Sequence, residues 1–157
     1  MGSKLIKASR LSPLIKTLKK KNKEIAFTNG CFDLIHPGHI KLLKESKKHA
    51  DILILGLNSD RSIRKIKGKK RPILNQKARI EILSGISYVD YIVVFRENTP
   101  LNLIRKIKPD VLIKGDDWKK DQIVGRTLVE KHRGKVIRIK LKKGYSTSKL
   151  IEKIKRI

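Results

Sequence analysis

The sequence predicts an α/β fold in which about five parallel strands form the central layer of a three-layer, Rossmann-like sandwich. Apolar segments of strand length alternate along the 157 residues with segments whose apolar residues recur at helical spacing. The segment from Asp51 to Asn58 is apolar almost throughout, as expected of a strand buried on both faces of a parallel sheet. The carboxyl ends of parallel strands share one edge, so ligands are expected to bind at that edge.

The composition indicates one folded domain. Hydrophobic residues make up 39% of the chain, and a length of 157 residues suits a single core. We expect residues 1–157 to form this domain, with residues 1–23 as a basic helical lead-in. No apolar run approaches the roughly 18 residues of a membrane span, so no membrane partner is expected. The single cysteine, and the lack of a continuous apolar stretch near the N-terminus, favour a reducing cytoplasm.

The formal net charge of +26 raises nucleic acid as a partner. Lysines are distributed over nearly every predicted helix, however, and the few aromatic residues form no platform on which bases would stack. No specific nucleic-acid partner is therefore expected, and the positive field is expected to steer small phosphorylated molecules to the site. A nucleic-acid-binding protein is the non-enzymatic alternative.

The chain begins with a predicted helix and then alternates strands with helices. Ser12-Pro13 has the pattern of an N-cap followed by proline at the first helical position. Ser146 is a comparable N-cap for the last helix. Strands are predicted at residues 24–29, 51–58, 91–95, 111–113 and 136–139, and the helices after the first at 38–49, 75–86, from Thr99-Pro100, at 121–132 and from Ser146.

The stretch TNGCFDLIHPGH, residues 28–39, joins the first strand to the following helix. Two turns, Asn29-Gly30 and Pro37-Gly38, make a loop of the size that a phosphate group fills. His36 and His39 flank the second turn, so both imidazoles can point to the place where the first amides of the helix also point. The stretch therefore predicts an anion-binding site.

The same residues allow less specific interpretations. Two histidines three positions apart could bind a metal or lie on the surface without a role, although no further ligand stands close by in the sequence. Asp33 could simply cap the turn. Cys31 is expected to be a small buried side chain without a chemical role.

Two further stretches at the same sheet edge carry basic or hydroxyl residues. The segment from Arg61 to Pro72 is a predicted basic loop, which could be solvated surface or could fold over a bound polyphosphate. Residues 144–148, GYSTS, gather hydroxyl groups at the start of the last helix. They form a second candidate anion site, unless Ser146 is only a helix cap.

The pattern Gly-x-Phe-Asp-x-x-His-x-Gly-His, from Gly30 to His39, resembles the signature of the HxGH nucleotidyltransferases of the cytidylyltransferase-like superfamily. The resemblance runs from about residue 24 to the end of the chain and is closest to the adenylyltransferase domain of D-glycero-beta-D-manno-heptose 1-phosphate adenylyltransferases. In that family the domain is often fused to a sugar kinase. The 157 residues leave no room for a kinase, so we expect a stand-alone form of the adenylyltransferase domain. The resemblance is carried further by Asn58-Ser59-Asp60, Lys67-Gly68, Arg71-Pro72, Thr99-Pro100, residues 109–115, Ile123-Val124-Gly125 and Ser146-Thr147.

The resemblance implies transfer of AMP from ATP to a sugar 1-phosphate, with D-glycero-beta-D-manno-heptose 1-phosphate as the expected acceptor. The products would be pyrophosphate and ADP-heptose, a precursor of the lipopolysaccharide core or of surface glycans. Mg²⁺ is implied as a cofactor held mainly by the nucleotide phosphates, without a certain protein ligand. The implied catalytic residues are His36, His39, Lys65 and Lys67. The implied nucleotide-binding residues are Thr28, Asn29, Gly30, Cys31, Phe32, Asp33, Gly38, Asn58, Asp60, Arg79, Lys114, Gly115, Asp116, Ser146 and Thr147.

One departure from the family pattern concerns the nucleotide. Lys114-Gly115-Asp116-Asp117 stands where the family usually has Lys-Gly-Gly-Asp, and the run Gly-Asp-Asp-Trp is similar to glycerol 3-phosphate cytidylyltransferase. CTP therefore stays open beside ATP, with glycerol 3-phosphate or a related polyol phosphate as the alternative acceptor. Dimers are common in the resembled family, which makes a homodimer the alternative to a monomer.

Overall fold

A five-stranded parallel sheet lies at the centre of the fold. The computed structural model describes residues 4–157, so residues 1–3 of the predicted lead-in lie outside the described residues. The strands pair in the order β3-β2-β1-β4-β5, and every pair is parallel, which confirms the predicted class of fold. The strands are β1 (Ile25–Gly30), β2 (Ile52–Asn58), β3 (Tyr91–Phe95), β4 (Val111–Gly115) and β5 (Lys135–Ile139).

Helices cover both faces of the sheet. In the described part of the chain none is long and apolar enough to cross a membrane. A short 3₁₀ helix, Lys120–Gln122, precedes the sixth α-helix. The α-helices are α1 (Ala8–Lys20), α2 (Pro37–Lys47), α3 (Asp60–Lys67), α4 (Gln76–Ser84), α5 (Leu101–Ile107), α6 (Arg126–Lys131) and α7 (Thr147–Lys155).

The core consists of two apolar clusters, one on each face of the sheet. On one face α1, α5 and α6 pack against strand residues such as Phe27 and Ile54. On the other face α2 and α4 pack against Leu53 and Leu55, the alternate residues of β2. Because both faces of β2 are covered, nearly every residue of this strand is apolar and buried.

The strand order reverses between β1 and β4. From β1 the chain crosses to β2 and then outward to β3, whereas β4 and β5 lie on the other side of β1. A crevice forms where an open parallel sheet changes direction in this way, beyond the carboxyl ends of the strands. Residues 28–39 leave β1 at this crevice.

Helix α1 begins earlier than predicted. Leu11 is almost fully buried beside Ile15 and Leu18, and this apolar face extends the helix back to Ala8. Pro13 therefore lies inside the helix, and the expectation of an N-cap at Ser12 is wrong.

The predicted basic loop over residues 61–72 is also partly wrong, because α3 occupies most of it. Ser59 caps this helix by accepting a hydrogen bond from the Ser62 amide at 3.2 Å. Ile63 is fully buried and ties the helix to the core. Only the segment after Lys67 is a loop.

The predicted helix over residues 121–132 is interrupted at Gly125, which has a φ of 85°. A Cβ at this position would lie 2.6 Å from Cδ1 of Ile104, so a side chain does not fit in the close approach to α5. Ile123 is buried just before the break. The helix therefore divides into the 3₁₀ turn and α6.

The segment before α1 protects the edge of the sheet. The Ile6 amide donates to the Ile92 carbonyl at 2.8 Å, and the Ile92 amide donates to the Lys4 carbonyl at 2.8 Å. This short parallel bridge, which was not predicted, covers part of the outer edge of β3.

Candidate active site

A cavity of about 640 Å³ opens at the carboxyl ends of β1, β2 and β4. A smaller cavity of about 450 Å³ lies between α1, β3 and α5 and contains none of the predicted site residues. The larger cavity brings together most of the residues selected from the sequence. Those that line it are Thr28, Asn29, Gly30, Cys31, Phe32, Asp33, His36, Gly38, His39, Asn58, Lys67, Lys114, Gly115, Ser146 and Thr147.

His36 is the N-cap of α2. Its Nδ1 accepts a hydrogen bond from the Gly38 amide at 3.1 Å. Since this nitrogen acts as an acceptor, the proton of the neutral ring is on Nε2, which is then a donor. A Cβ at Gly38 would lie 2.9 Å from the His36 ring, so this close approach requires glycine.

His39 follows in the first turn of α2, and its ring stacks on that of His36 with the centroids 3.8 Å apart. The Phe32 ring lies on another side, at 5.0 Å. Burial, and secondarily the neighbouring His36, lower the pKa of His39 to about 4. Burial also lowers the pKa of His36. Both rings are therefore neutral at pH 7 and can each donate one hydrogen bond.

Three buried polar atoms in the cavity wall have no hydrogen-bond partner among the described residues. They are Oγ1 of Thr28, Oδ1 of Asn29 and Nδ1 of His39. Buried polar groups are normally paired, and a bound polar ligand would supply the partners that the protein does not. These atoms therefore mark the floor of the cavity as a binding surface.

Asp33 was predicted to bind the nucleotide, and its carboxylate accepts three hydrogen bonds from the protein. Oδ2 accepts from Nε of Arg71 at 2.7 Å and from the Ile73 amide at 2.8 Å. Oδ1 accepts from the Leu74 amide at 2.8 Å. The side chain is completely buried. Asp33 thus fastens residues 71–74 to residues 31–36, the signature loop between β1 and α2. Its role as a direct nucleotide ligand stays a prediction.

Arg79 and Asp60, which were predicted as nucleotide ligands, are not among the residues that line the cavity. The Arg79 side chain is fully buried, and its Nη2 donates to Oδ1 of Asp60 at 2.7 Å. Its Nη1 donates to the carbonyls of Cys31, at 2.6 Å, and Asn58, at 2.9 Å. The guanidinium therefore connects two segments that line the cavity, and a direct contact with the nucleotide stays a prediction.

Lys65 does not line the cavity, whereas Lys67 does. Both belong to α3, and residues two positions apart on a helix do not share a face. The prediction treated this segment as a flexible loop from which either lysine could reach a phosphate. Its helical structure leaves only Lys67 in position.

Lys114 is almost fully buried at the end of β4. Its Nζ lies 3.4 Å from the Asn29 carbonyl and 5.1 Å from the centre of the Trp118 ring. Burial lowers the pKa of Lys114 to about 8, and the nearby Asp117 carboxylate offsets part of that effect. A buried cation that has a carbonyl and a ring as close contacts, with one carboxylate nearby, is well suited to an anionic ligand.

Asp116 is the residue because of which CTP was kept as an alternative to ATP. It does not line the cavity. Its Oδ1 accepts from the Leu141 amide at 3.0 Å, and its carbonyl accepts from Arg138 Nη2 at 2.8 Å. A Cβ on the neighbouring Gly115 would lie 2.7 Å from Cδ1 of Leu141. Asp116 therefore holds Leu141 at the cavity wall, and its role as a direct ligand stays a prediction.

The start of α7 closes the far side of the cavity. Ser146 is the N-cap, and its hydroxyl accepts from the Lys149 amide at 3.1 Å, as predicted from the sequence. Thr147 and Ser148 also line the cavity, as does Tyr145. The unpaired amides of this helix start lie beside the histidine pair, since Cβ of Tyr145 is 3.9 Å from the position of a Cβ on Gly38.

Several cavity residues were not selected from the sequence. The rule that strand ends share one edge could have identified Thr99 and Pro100, which follow β3, and Trp118, which follows β4. Arg71 and Leu141 could not have been found in this way, because side-chain contacts with distant residues position them. The other unselected residues are Leu42, Ile66, Asn98, Asp117, Val124, Tyr145 and Ser148.

The described residues contain no group of three or more histidine, cysteine or acidic side chains that could hold a metal ion. The acidic residues that line the cavity are Asp33, which already accepts three hydrogen bonds from the protein, and Asp117. This donor set fits a cation most of whose ligands are phosphate oxygens of the substrate.

The chain is similar to known proteins over the region that builds this cavity. Residues 27–153 match a family model described as Cytidylyltransferase-like. The bifunctional protein HldE of Geobacter sulfurreducens is 49% identical over 144 residues, which cover 92% of this chain and 29% of that protein. HldE of Helicobacter pylori strain J99 is 48% identical over 146 residues, covering 93% and 31%. The chain thus spans less than a third of the length of these curated relatives.

A solved structure resembles the fold. The lipopolysaccharide core biosynthesis protein from Thermoplasma volcanium matches with a TM-score of 0.66 and 30% sequence identity. The match covers 76% of this chain and 98% of that one. The similarity therefore extends over almost the full length of a protein of comparable fold.

Proposed function

The chain belongs to the cytidylyltransferase-like family of nucleotidyltransferases, and from that premise we propose that it transfers AMP from ATP to a sugar 1-phosphate, with D-glycero-beta-D-manno-heptose 1-phosphate as acceptor. The observation that carries the proposal is the cavity, where two neutral histidines, a buried lysine and a helix start converge. The relatives are named as bifunctional, and the chain matches less than a third of their length. The Thermoplasma protein is named for lipopolysaccharide core biosynthesis. The family resemblance implies ADP-heptose as a precursor of that core.

In the proposed reaction an oxygen of the acceptor phosphate attacks the α-phosphorus of ATP in line. A new P–O bond forms there, and the bond between the α-phosphorus and the α,β-bridging oxygen breaks, so pyrophosphate leaves with that electron pair. The attacking phosphate is already ionised, so the protein needs neither a nucleophile nor a general base. Catalysis then depends on position and on stabilising the charge that develops at phosphorus.

The histidine pair would supply hydrogen bonds to that charge. Nε2 of His36 is fixed as a donor because its Nδ1 accepts from Gly38. His39, with a pKa of about 4, is a neutral donor that cannot become charged near pH 7. Donors that are already oriented stabilise a transition state without further rearrangement.

The β and γ phosphates would be held by Lys67, Lys114 and the Ser146-Thr147 helix start. Lys114 would gain a partner for its buried charge, and the free amides of α7 favour an anion. Mg²⁺, when bound, would neutralise charge on the phosphate oxygens, and Asp117 is the carboxylate that the cavity offers to it.

The ATP assignment is supported by the position of Asp116. The similarity to cytidylyltransferases rested on this residue, and its carboxylate bonds the Leu141 amide outside the cavity. The substitution therefore adds no polar group to the surface that a base would contact. Cytidylyl transfer to glycerol 3-phosphate has no comparable observation in its favour.

Pyrophosphate release tests the proposal directly. We expect purified protein with Mg²⁺ to release pyrophosphate from ATP only when heptose 1-phosphate is present, and to give little release with CTP or with glycerol 3-phosphate. Preferential turnover of CTP with a polyol phosphate would replace the adenylyltransferase proposal by the cytidylyltransferase alternative.

Three expectations from the sequence stay predictions. They are that residues 1–157 form one domain, that the protein works in the cytoplasm, and that a homodimer is the alternative to a monomer. Sedimentation of the purified chain would decide the last.

A further inference from the structure

Arg71 has an incomplete set of partners for an arginine in a cavity wall. Its Nε is held by Oδ2 of Asp33 at 2.7 Å, and its side chain is only 15% exposed. Among the described residues neither Nη atom has a hydrogen-bond partner. The contact with Asp33 uses only Nε of Arg71. Both Nη atoms therefore stay available as donors in a residue that lines the cavity.

Asp33 also limits how the guanidinium can turn. The carboxylate is immobilised by the Ile73 and Leu74 amides as well as by Arg71, and it is completely buried. A planar guanidinium with Nε fixed can present its Nη atoms in a narrow range of directions only. Two parallel N–H groups of this kind match two oxygens of a phosphate.

Arg71 belongs to a group of cations around the Cys31 thiol. Lys67 and Arg71 lower the pKa of this thiol against the effect of burial, and Lys114 is also close enough to interact with it. In the proposed function Lys67 and Lys114 hold the leaving phosphates, so Arg71 is the cation lining the cavity to which no substrate group has been assigned. In-line transfer also requires a group that positions the attacking phosphate.

We propose that Arg71 binds the phosphate of the acceptor through its two Nη atoms, and that it thereby selects acceptors carrying a phosphate monoester. The inference rests on the proposed function and assigns the second substrate to the Arg71 side of the cavity. Asp33 is then a positioning residue, because it acts on the substrate through the arginine.

Arg71→Lys tests the proposal, since it keeps the charge but loses the planar pair of donors. We expect the KM for heptose 1-phosphate to rise on the order of 10- to 100-fold, with KM for ATP and kcat changed by no more than about threefold. The matched control is Arg105→Lys, an exposed arginine on α5 outside the cavity, for which all three values should stay unchanged. A uniform fall in kcat with an unchanged acceptor KM would overturn the proposal.

A binding measurement keeps the inference testable if the variant is unstable or the acceptor differs. Thermal melting first shows that Arg71→Lys is folded; if it is not, Arg71→Gln replaces it. Inorganic phosphate is then titrated calorimetrically into protein saturated with an α,β-methylene analogue of ATP. We expect the variant to lose at least tenfold in phosphate affinity and none in affinity for the analogue. Equal phosphate affinities would refute the role of Arg71, whereas failure of heptose 1-phosphate as acceptor alone would refute only the proposed function.

Discussion

The rings of His36 and His39 are stacked with their centroids 3.8 Å apart, and this contact connects the cap of α2 to its first turn. A positive charge on one ring would be repelled by a charge on the other, and burial disfavours both charges. We therefore predict that the pair acts as two neutral hydrogen-bond donors in fixed orientation.

Removal of either ring should slow the reaction without unfolding the protein. We expect His36→Ala and His39→Ala each to lower kcat by on the order of 10² or more, because each removes a donor aimed at charge in the transition state. Single-turnover measurements would report the chemical step, and circular dichroism would report the fold. Wild-type rates of the chemical step in either variant would exclude the assigned role.

Stability should depend on pH through His39. In the unfolded chain this residue binds a proton below about pH 6.5, whereas in the folded protein its pKa is about 4. The unfolded state thus binds more protons between these values, and the stability present above pH 6.5 is lost as the pH falls towards 4. We expect a loss of about 2 kcal/mol between pH 7 and pH 5 from this group.

Urea unfolding at the two pH values would measure that loss. His39→Asn should show a smaller difference in unfolding free energy between pH 7 and pH 5. His132→Asn, which changes an exposed histidine at the end of α6, should keep the wild-type difference. An equal pH dependence in all three proteins would contradict the prediction.

Nucleotide binding should be coupled to a proton on Lys114. The pKa of this residue is about 8 in the free protein, and a polyphosphate beside it would raise that pKa. At pH 8.5 binding should therefore take up a fraction of a proton, whereas at pH 7 the lysine is already protonated. Calorimetric titration in two buffers of different ionisation enthalpy would reveal the uptake, which should disappear in Lys114→Met. Binding heats at pH 8.5 that do not depend on the buffer would contradict the predicted proton uptake.

The segment of residues 68–70 is expected to close over bound nucleotide. Gly68 has a φ of 94° and open space around it, and Lys69 and Lys70 are exposed. Residues 71–74 are fastened by Asp33, so any movement is confined to the residues before them. Trypsin cleavage after Lys69 and Lys70 should slow with ATP and Mg²⁺, while cleavage after Lys155 near the end of α7 should not. Identical rates at all sites would leave the segment without a lid role.

The net charge of +26 should act as an electrostatic background and not as a nucleic-acid-binding surface. Weak DNA binding at low salt is expected of any protein with this charge, and it should fall steeply as salt rises. At about 0.15 M salt, exposed charges are screened from one another beyond about 8 Å. In that buffer we expect no sub-micromolar affinity for DNA or RNA. Retention of tight DNA or RNA binding in that buffer, without competition by ATP and Mg²⁺, would favour the nucleic-acid-binding alternative.

Local patterns in the sequence were sufficient for the fold and for the outline of the site. Alternating apolar segments predicted the parallel sheet, and residues 28–39 predicted the position of the cavity. The Ser146 cap was likewise predictable, because an N-cap depends on residues only three positions apart.

Contacts between distant residues were not predictable. Arg79 was assigned to the ligand, yet its guanidinium is taken up by carbonyls 48 and 21 positions away and by Asp60. The helix α3 was missed because charged residues dominate its composition, while two buried residues, Ser62 and Ile63, and the Ser59 cap stabilise it. Sequence patterns report which residues are polar, but not which of them already have a partner.

The bonds of Asp33 to residues 71–74 also bear on protein engineering. The signature loop contains a buried carboxylate whose three donors come from a segment 38 to 41 positions further along the chain. Grafting residues 28–39 alone into another parallel sheet would leave that carboxylate buried without its donors, at a cost of several kcal/mol. The smallest transplantable unit therefore runs from the start of β1 through Arg79, and a chimaera that divides this stretch would lose the shape of its phosphate loop.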